Sequence, residues 1–144
     1  MNQEIKLKVL NTLNIEESLH MTEDDIEEAI SNEDWIILED EEADIMAREQ
    51  IESSLWAFNY SFLVKHSNVI AKIPEDIFKI MVERMCEDAN EIVLALIDNL
   101  NDFIEDTINT DGRGHFIASY DFIEYEVEID IDDSKKVYYA YRLN

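Results

Sequence analysis

The sequence predicts an α+β fold, four or five helices followed by a C-terminal antiparallel β-hairpin or small sheet, on three observations. Apolar residues recur at three- and four-residue spacing through most of the first 110 positions, the period switches to two from Phe122 onward, and both glycines, Gly112 and Gly114, fall at the switch. With 144 residues, 47% hydrophobic and 10% aromatic, the chain is expected to fold as a single globular domain over residues 1–144 and is too apolar for a disordered acidic tail. It contains no internal repeat and no Ser-, Gly- or Pro-rich linker.

Ile5, Val9, Leu10 and Leu13 share one helical face and predict a first amphipathic helix over about residues 4–13. Thr22 is placed as an N-cap, with Asp25 three residues on as a loose stand-in for the Glu or Gln of a capping box, and the helix it opens should run to about Asn32. The run Trp35–Leu38 fits either a strand or the lead-in to a helix. Asp40 is expected to cap a long helix reaching about Lys65, with Glu41, Glu42 and Asp44 in the first turn, where the macrodipole favours negative charge. Its buried stripe is read as Ile45, Ile51, Leu55, Phe58 and Phe62, widened by Ala47, Trp56 and Leu63.

Pro74, the only proline, opens a further helix carrying Ile77, Ile80, Met81 and Met85. From Ala89 to about Asn109 the residues Ile92, Val93, Leu96, Ile97, Leu100, Phe103, Ile104 and Ile108 give the strongest helical period in the chain and predict one long helix. Beyond Phe122, Tyr125, Val127, Ile129 and Ile131 alternate with Glu124, Glu126, Glu128 and Asp130, so one face of this strand is apolar and the other acidic. Asp132, Asp133 and Ser134 read as the turn, and Val137, Tyr139, Tyr141 and Leu143 as the matching apolar face of the return strand. Lys135, Lys136 and Arg142 are placed to meet the acidic row across the hairpin.

Charge is the least random property of the chain. Thirty-five Asp and Glu against 11 Lys and Arg give a net charge of −24, whereas solubility of a small domain asks for a magnitude of about 2 to 8. Such a balance argues against direct binding to nucleic acid or anionic lipid and makes a basic protein surface the natural partner. The charge concentrates in a stretch with no Lys or Arg, which carries Glu16, Glu17, Glu23, Asp24, Asp25, Glu27, Glu28, Glu33, Asp34, Glu39, Asp40, Glu41, Glu42 and Asp44. A solvated helix face accounts for such a run in the plain reading. In the functional reading these carboxylates imitate the phosphate rows of a duplex and occupy the basic groove of a nucleic-acid-binding protein.

Sequence signatures of chemistry are sparse. His20, His66 and His115 are scattered and, with one cysteine, form no zinc pattern. There is no calcium loop, phosphate-binding loop, dinucleotide fingerprint or Gly-x-Ser-x-Gly elbow, so neither a cofactor nor a metal is expected. Cys86 excludes an intramolecular disulfide, fits a reducing compartment, and is read as a buried helix residue beside Met81, Arg84 and Met85. Trp56, Phe58, Tyr60 and Phe62 are read as core rather than as a ligand box. The opening MNQEIKLKVL lacks a long apolar signal region, and no run approaches the ~18 apolar residues of a membrane span, so the chain is expected in the cytoplasm and off the membrane.

One segment, "DGRGHFIASYD" at residues 111–121, concentrates reactive types. Asp111, Arg113, His115 and Asp121 can be read as a general base or metal-ligand pair with an anion-binding arginine. The structural reading makes Gly112 the residue that ends the long helix and Gly114 the turn into the sheet, with Arg113 and His115 on the last helical carbonyls and Asp121 bonding a turn.

In "WIILEDEEADIMAREQIESSLWAFNYSFL" and "DGRGHFIASYD…YYAYRLN" the chain resembles a group of small acidic proteins encoded by tailed bacteriophages and related mobile elements, from about residue 35 to the C-terminus. That group shares an "LxDEEAD…SLWAF" helix and a closing "DGRGH…SYD…YYxYRxN" segment, and its members are mostly without assigned function. Phe122 stands where the group's "DGxExE" hairpin has glycine. The resemblance implies a phage origin and brings no catalytic residues with it.

Three functions follow as expectations. The first is a non-enzymatic phage protein in the host cytoplasm that blocks a host nuclease or other nucleic-acid-binding protein as a DNA mimic, of the anti-CRISPR or anti-restriction type. The second is a small enzyme or metal-binding protein built on Asp111, Arg113, His115 and Asp121. The third is a structural or oligomeric accessory module joined through the hairpin edge.

Overall fold

The computed structural model describes all residues 1–144 and has the α+β architecture. Its elements are α1 (Gln3–Glu16), α2 (Glu23–Ser31), β1 (Trp35–Leu38), α3 (Asp40–Ser53), α4 (Tyr60–Lys65), α5 (Glu75–Met85), α6 (Asn90–Leu96), α7 (Leu100–Asp111), α8 (Arg113–Ile117), β2 (Glu124–Ile131) and β3 (Ser134–Arg142). Short 3-10 turns stand at Leu55–Ala57, Ile70–Lys72 and Cys86–Ala89. The chain forms two compact units, one of Met1–Ala47 with Asp111–Asn144, the other of Arg48–Thr110.

The first unit is organised by a three-stranded antiparallel sheet in the order β1-β3-β2. Trp35–Leu38 is a strand, paired along β3 from Trp35 opposite Arg142 to Leu38 opposite Tyr139. The hairpin turns through Asp132 and Asp133, at φ +49° and +62°, the left-handed pair that a two-residue turn requires. That tight turn sets Ile131 opposite Ser134 and thereby fixes which face every later residue joins. Val127 lies opposite Tyr138 and Tyr125 opposite Ala140, so the apolar face of β2 is met by Tyr138 and Ala140. The expected match to Val137, Tyr139 and Tyr141 is corrected by one residue: these three share the face of Glu128, Glu126 and Glu124.

Helices α1 and α2 cover one face of this sheet. Val9, Leu10, Leu13, Ile26 and Ala29 form a single buried cluster with Trp35, Ile37, Val127, Ile129, Tyr138 and Ala140. The capping box of α2 is complete. Asp25 N–H donates to Thr22 Oγ1 at 3.1 Å, and Thr22 N–H donates to the Asp25 carboxylate at 2.8 Å, an exchange that satisfies two otherwise orphaned amides.

Both long helices expected from the sequence are broken, and the breaks have polar causes. Asp40 is the first residue of α3 rather than its cap; the Glu39 N–H donates to the Glu42 carboxylate instead, at 2.9 Å. Helix α3 stops at Ser53 and does not reach Lys65. Ser53 and Ser54 each donate a hydroxyl back to the Gln50 carbonyl, at 3.0 and 2.6 Å, competing with the helical ladder there. Asn59 then restarts the helix by accepting from Phe62 N–H at 2.9 Å. Between α6 and α7, Ile97 is extended (ψ 127°), Asp98 accepts from Asn68 N–H at 3.0 Å, and Asn99 accepts from Asp102 N–H at 3.1 Å to start α7.

Within the second unit Ile51, Leu55, Leu63, Ile70, Phe78, Val93 and Phe103 are buried, and the Phe103 ring meets Phe58 and Phe62 edge-on. Helix α5 buries only Phe78, leaving Ile77 and Ile80 exposed. Ile45, assigned to the buried stripe, is exposed, and so is Cys86, which opens the 3-10 turn after α5 at φ +49°.

Gly112 ends the helix before it as expected, and Gly114 does not make the expected turn. Gly112, at φ +80°, follows the end of α7, but a further short helix, α8, begins immediately after it. Gly114 lies inside α8 and makes no turn; a Cβ there would stand 2.6 Å from the Glu124 nitrogen and 2.7 Å from the Phe122 carbonyl oxygen. The positive φ in this region falls on Phe122 instead, at +62°. Because backbone rather than a flexible side chain opposes the new methyl, Gly114→Ala is expected to cost about 2 to 4 kcal/mol. Gly112→Ala, which is strained but unobstructed, is expected to cost about 1 kcal/mol. Denaturant midpoints check both, and an unshifted midpoint for Gly114→Ala contradicts the close approach.

Candidate functional site

The acidic stretch lies wholly in the first unit, which carries twenty-three Asp and Glu against six Lys and Arg. Every carboxylate singled out from the sequence is exposed there except Asp34, which is half-buried. Glu23, Asp24, Glu27 and Glu28 occupy the outer stripe of α2 because Ile26 and Ala29 turn the opposite stripe into the core. Successive turns of that stripe repeat carboxylates about every 6 Å along the helix axis.

These residues divide by what they already hold. Asp25 and Glu42 accept local backbone amides, Glu39 pairs with Lys136 at 2.6 Å, and Asp34 accepts from the Asn144 side chain at 3.0 Å. Asp40 and Asp44 are bound by Arg113. The side chains of Glu16, Glu17, Glu23, Asp24, Glu27, Glu28, Glu33 and Glu41 have no hydrogen bond or ion pair. The uncompensated charge is thus centred on α2 and the segments flanking it, while the start of α3 is partly neutralised.

The expected cross-hairpin pairing is limited to Lys135, which meets Glu128 at 2.9 Å. Lys136 reaches Glu39 instead, because the register puts it on the opposite face from the acidic row. Arg142 stacks on Tyr120 at 3.9 Å and donates to the Asn144 carbonyl at 2.7 Å.

The structure does not bring Asp111, Arg113, His115 and Asp121 together as one site. Asp111 and His115 are exposed, and the His115 ring lies against Phe116 and Phe122. Asp121 bonds a turn as expected, accepting from Ile123 N–H and from the Tyr125 hydroxyl, each at 3.0 Å. Arg113 does not serve the carbonyls of α7. Its guanidinium donates two hydrogen bonds to Glu124, at 2.8 and 3.0 Å, and others to Asp40 at 2.8 Å and Asp44 at 2.9 Å. It also lies 4.5 Å from the centre of the Tyr139 ring, and only 10% of its side chain is exposed.

Tyr141 completes this network. It is fully buried and donates its hydroxyl to Glu124 at 2.5 Å. The sequence pointed to Arg113 but not to its partners, which come from segments about seventy residues before and eleven after it. The only hint of Glu124 was its place in the acidic row, and the one-residue change of face that puts Tyr141 beside it was not readable from alternation.

Both networks push phenols upward. Burial, then the hydrogen bond to Glu124 and its negative charge, hold Tyr141 far above the ordinary tyrosine range. Burial and then Asp121 push Tyr125 up to about 12. A group whose pKa is raised by folding contributes stability fully below its unfolded value, about 10 for tyrosine, and that contribution is lost as pH rises through the folded value. Stability is therefore expected to fall on the alkaline side of about pH 10. Tyr141→Phe should be less stable at neutral pH yet show a shallower alkaline decline; an unchanged alkaline limb in thermal melts contradicts the assignment.

No protein-family model matches the chain, and no curated protein and no solved structure matches it either.

Proposed function

We propose that the protein acts by binding: its acidic face occupies a basic, nucleic-acid-binding surface of another protein and excludes the polymer from it. The observation that supports this reading is the group of partner-free carboxylates on and around α2, in a unit whose acidic residues outnumber its basic ones almost fourfold. Self-repulsion of this size lowers the stability of the compact state, and a cationic groove relieves it on binding. Exposed carboxylates also raise the association rate with a basic partner at low salt. On the resemblance of its two motifs to those of small bacteriophage proteins, the partner we propose is a host defence nuclease of the CRISPR effector or restriction type.

The catalytic reading gains no support from the geometry, since Arg113 is saturated by carboxylates and His115 stands apart on the surface. For the oligomeric reading, one edge of the hairpin is already taken, because β1 pairs with β3.

Reversal of Glu23, Asp24, Glu27 and Glu28 to Lys tests the proposal, because none of these side chains holds the fold. Binding to CRISPR effectors and restriction endonucleases, measured in competition with duplex DNA, is expected to weaken by about a hundredfold or more and to lose most of its salt dependence. Reversal of the exposed Glu91 and Glu105 of the second unit serves as the control and should change affinity by less than about threefold. Equal binding by the α2 reversal and the parent protein contradicts the proposal.

A further inference from the structure

The second unit holds a cavity of about 310 Å³ that the acidic-face reading leaves unused. Trp56, Phe58, Tyr60 and Phe78 line it, and Glu75, Lys79 and Glu83 stand along one side. The sequence assigned Trp56, Phe58 and Tyr60 to the core; all three are only half-buried, because the expected helix breaks at Ser54 and turns them into a wall.

That wall is held in place without a ligand. The Trp56 backbone N–H donates to Asn90 Oδ1 at 3.3 Å, and the Asn90 side-chain amide donates in turn to the Glu52 carbonyl at 2.7 Å, which fixes the turn carrying Trp56. Tyr60 donates its hydroxyl to the Ile73 carbonyl at 2.5 Å, and its ring is 5.7 Å from that of the buried Phe78, inclined at 54°. The Tyr60 hydroxyl is therefore occupied, and what that residue offers the cavity is ring surface.

Glu75, Lys79 and Glu83 follow at four-residue spacing on α5 and so share one face of that helix. Lys79 pairs with Glu75 at 2.9 Å and feels Glu83 only through its charge, which leaves Glu83 as the rim carboxylate without an ion pair. Ring faces carry negative potential and attract a cation, most effectively one whose own alkyl surface replaces weakly held water. No group of three His, Cys, Asp or Glu stands here to hold a small hydrated metal ion. The volume suits a compact organic group.

We propose that this cavity binds an alkylated ammonium group, with Trp56, Tyr60 and Phe78 supplying ring faces and Glu83 the counter-charge. The shared chemistry is that of a quaternary ammonium, carried either by a small free amine or by a trimethylated lysine side chain. This site stands independently of the acidic face, because its residues all belong to the other unit.

The test follows the indole N–H resonances of Trp56 and Trp35 in the full chain during titration with choline, with a trimethyllysine peptide, and with 3,3-dimethylbutanol, the neutral carbon isostere of choline. Trp35 is buried in the first unit and reports on the fold. A saturable shift of Trp56 alone is expected with an ammonium ligand, about tenfold tighter than with the neutral isostere, and weakened about threefold or more by Glu83→Gln. Phe78 being buried, Tyr60→Leu is the second variant, expected to lose about tenfold in affinity while the Trp35 resonance stays in place. Tighter binding of choline or of the peptide identifies the source of the group. Equal binding of the neutral isostere, no saturable shift with either ammonium, or full binding by both variants overturns the proposal.

Discussion

Arg113 gathers three carboxylates from distant parts of the chain: Asp40 and Asp44 at the start of α3, and Glu124 at the start of β2. The planar guanidinium, with five donors, is the only side chain able to meet one carboxylate in a paired fashion while turning its remaining nitrogen to two others. Taking these charges out of water offsets much of their attraction, so the network's net gain over an apolar filling is small. What it supplies is orientation. It ties the sheet face carrying Glu124, Tyr139 and Tyr141 to the first turn of α3, and Gly114, one residue on, allows α8 to lie directly on the backbone of residues 122–124.

This arrangement explains how a chain of net charge −24 keeps a well-packed first unit. Three cations meet carboxylates at the sheet: Arg113 at Glu124, Lys135 at Glu128 and Lys136 at Glu39. Where carboxylates face water, on α2 and around it, none does, and the desolvation that makes buried charge costly never arises. The uncompensated surface is therefore separate from the charges that hold the fold, and changing it should leave the fold in place. The two units also divide the chemistry: carboxylates and sheet in the first, aromatic rings around a cavity in the second.

Much of this was legible in the sequence. The α+β order, the complete box at Thr22 and Asp25, and the outward placement of the acidic run follow from local periodicity and capping chemistry, which act over a few residues. The two long helices were over-extended because periodicity reads apolar residues, whereas the breaks were made by Ser53, Ser54, Asn59, Asp98 and Asn99 forming side-chain hydrogen bonds. The tyrosine face was misassigned because a two-residue turn at Asp132 and Asp133 shifts parity by one, and alternation alone does not choose between Tyr138 with Ala140 and Tyr139 with Tyr141 as the face that meets Val127 and Tyr125. The partners of Arg113 lie too far along the chain for any local pattern to show them.

The account rests on Arg113 being a structural tie rather than a free functional cation, and a double-mutant cycle between Arg113 and Glu124 measures that most directly. With Arg113→Ala, Glu124→Ala and the double variant compared by denaturant unfolding, a coupling of about 1 to 3 kcal/mol is expected, since Arg113→Ala strands the Glu124 carboxylate whereas Glu124→Ala leaves Arg113 to Asp40 and Asp44. Additive effects within about 0.5 kcal/mol would show that the two groups stabilise the protein independently and contradict the account.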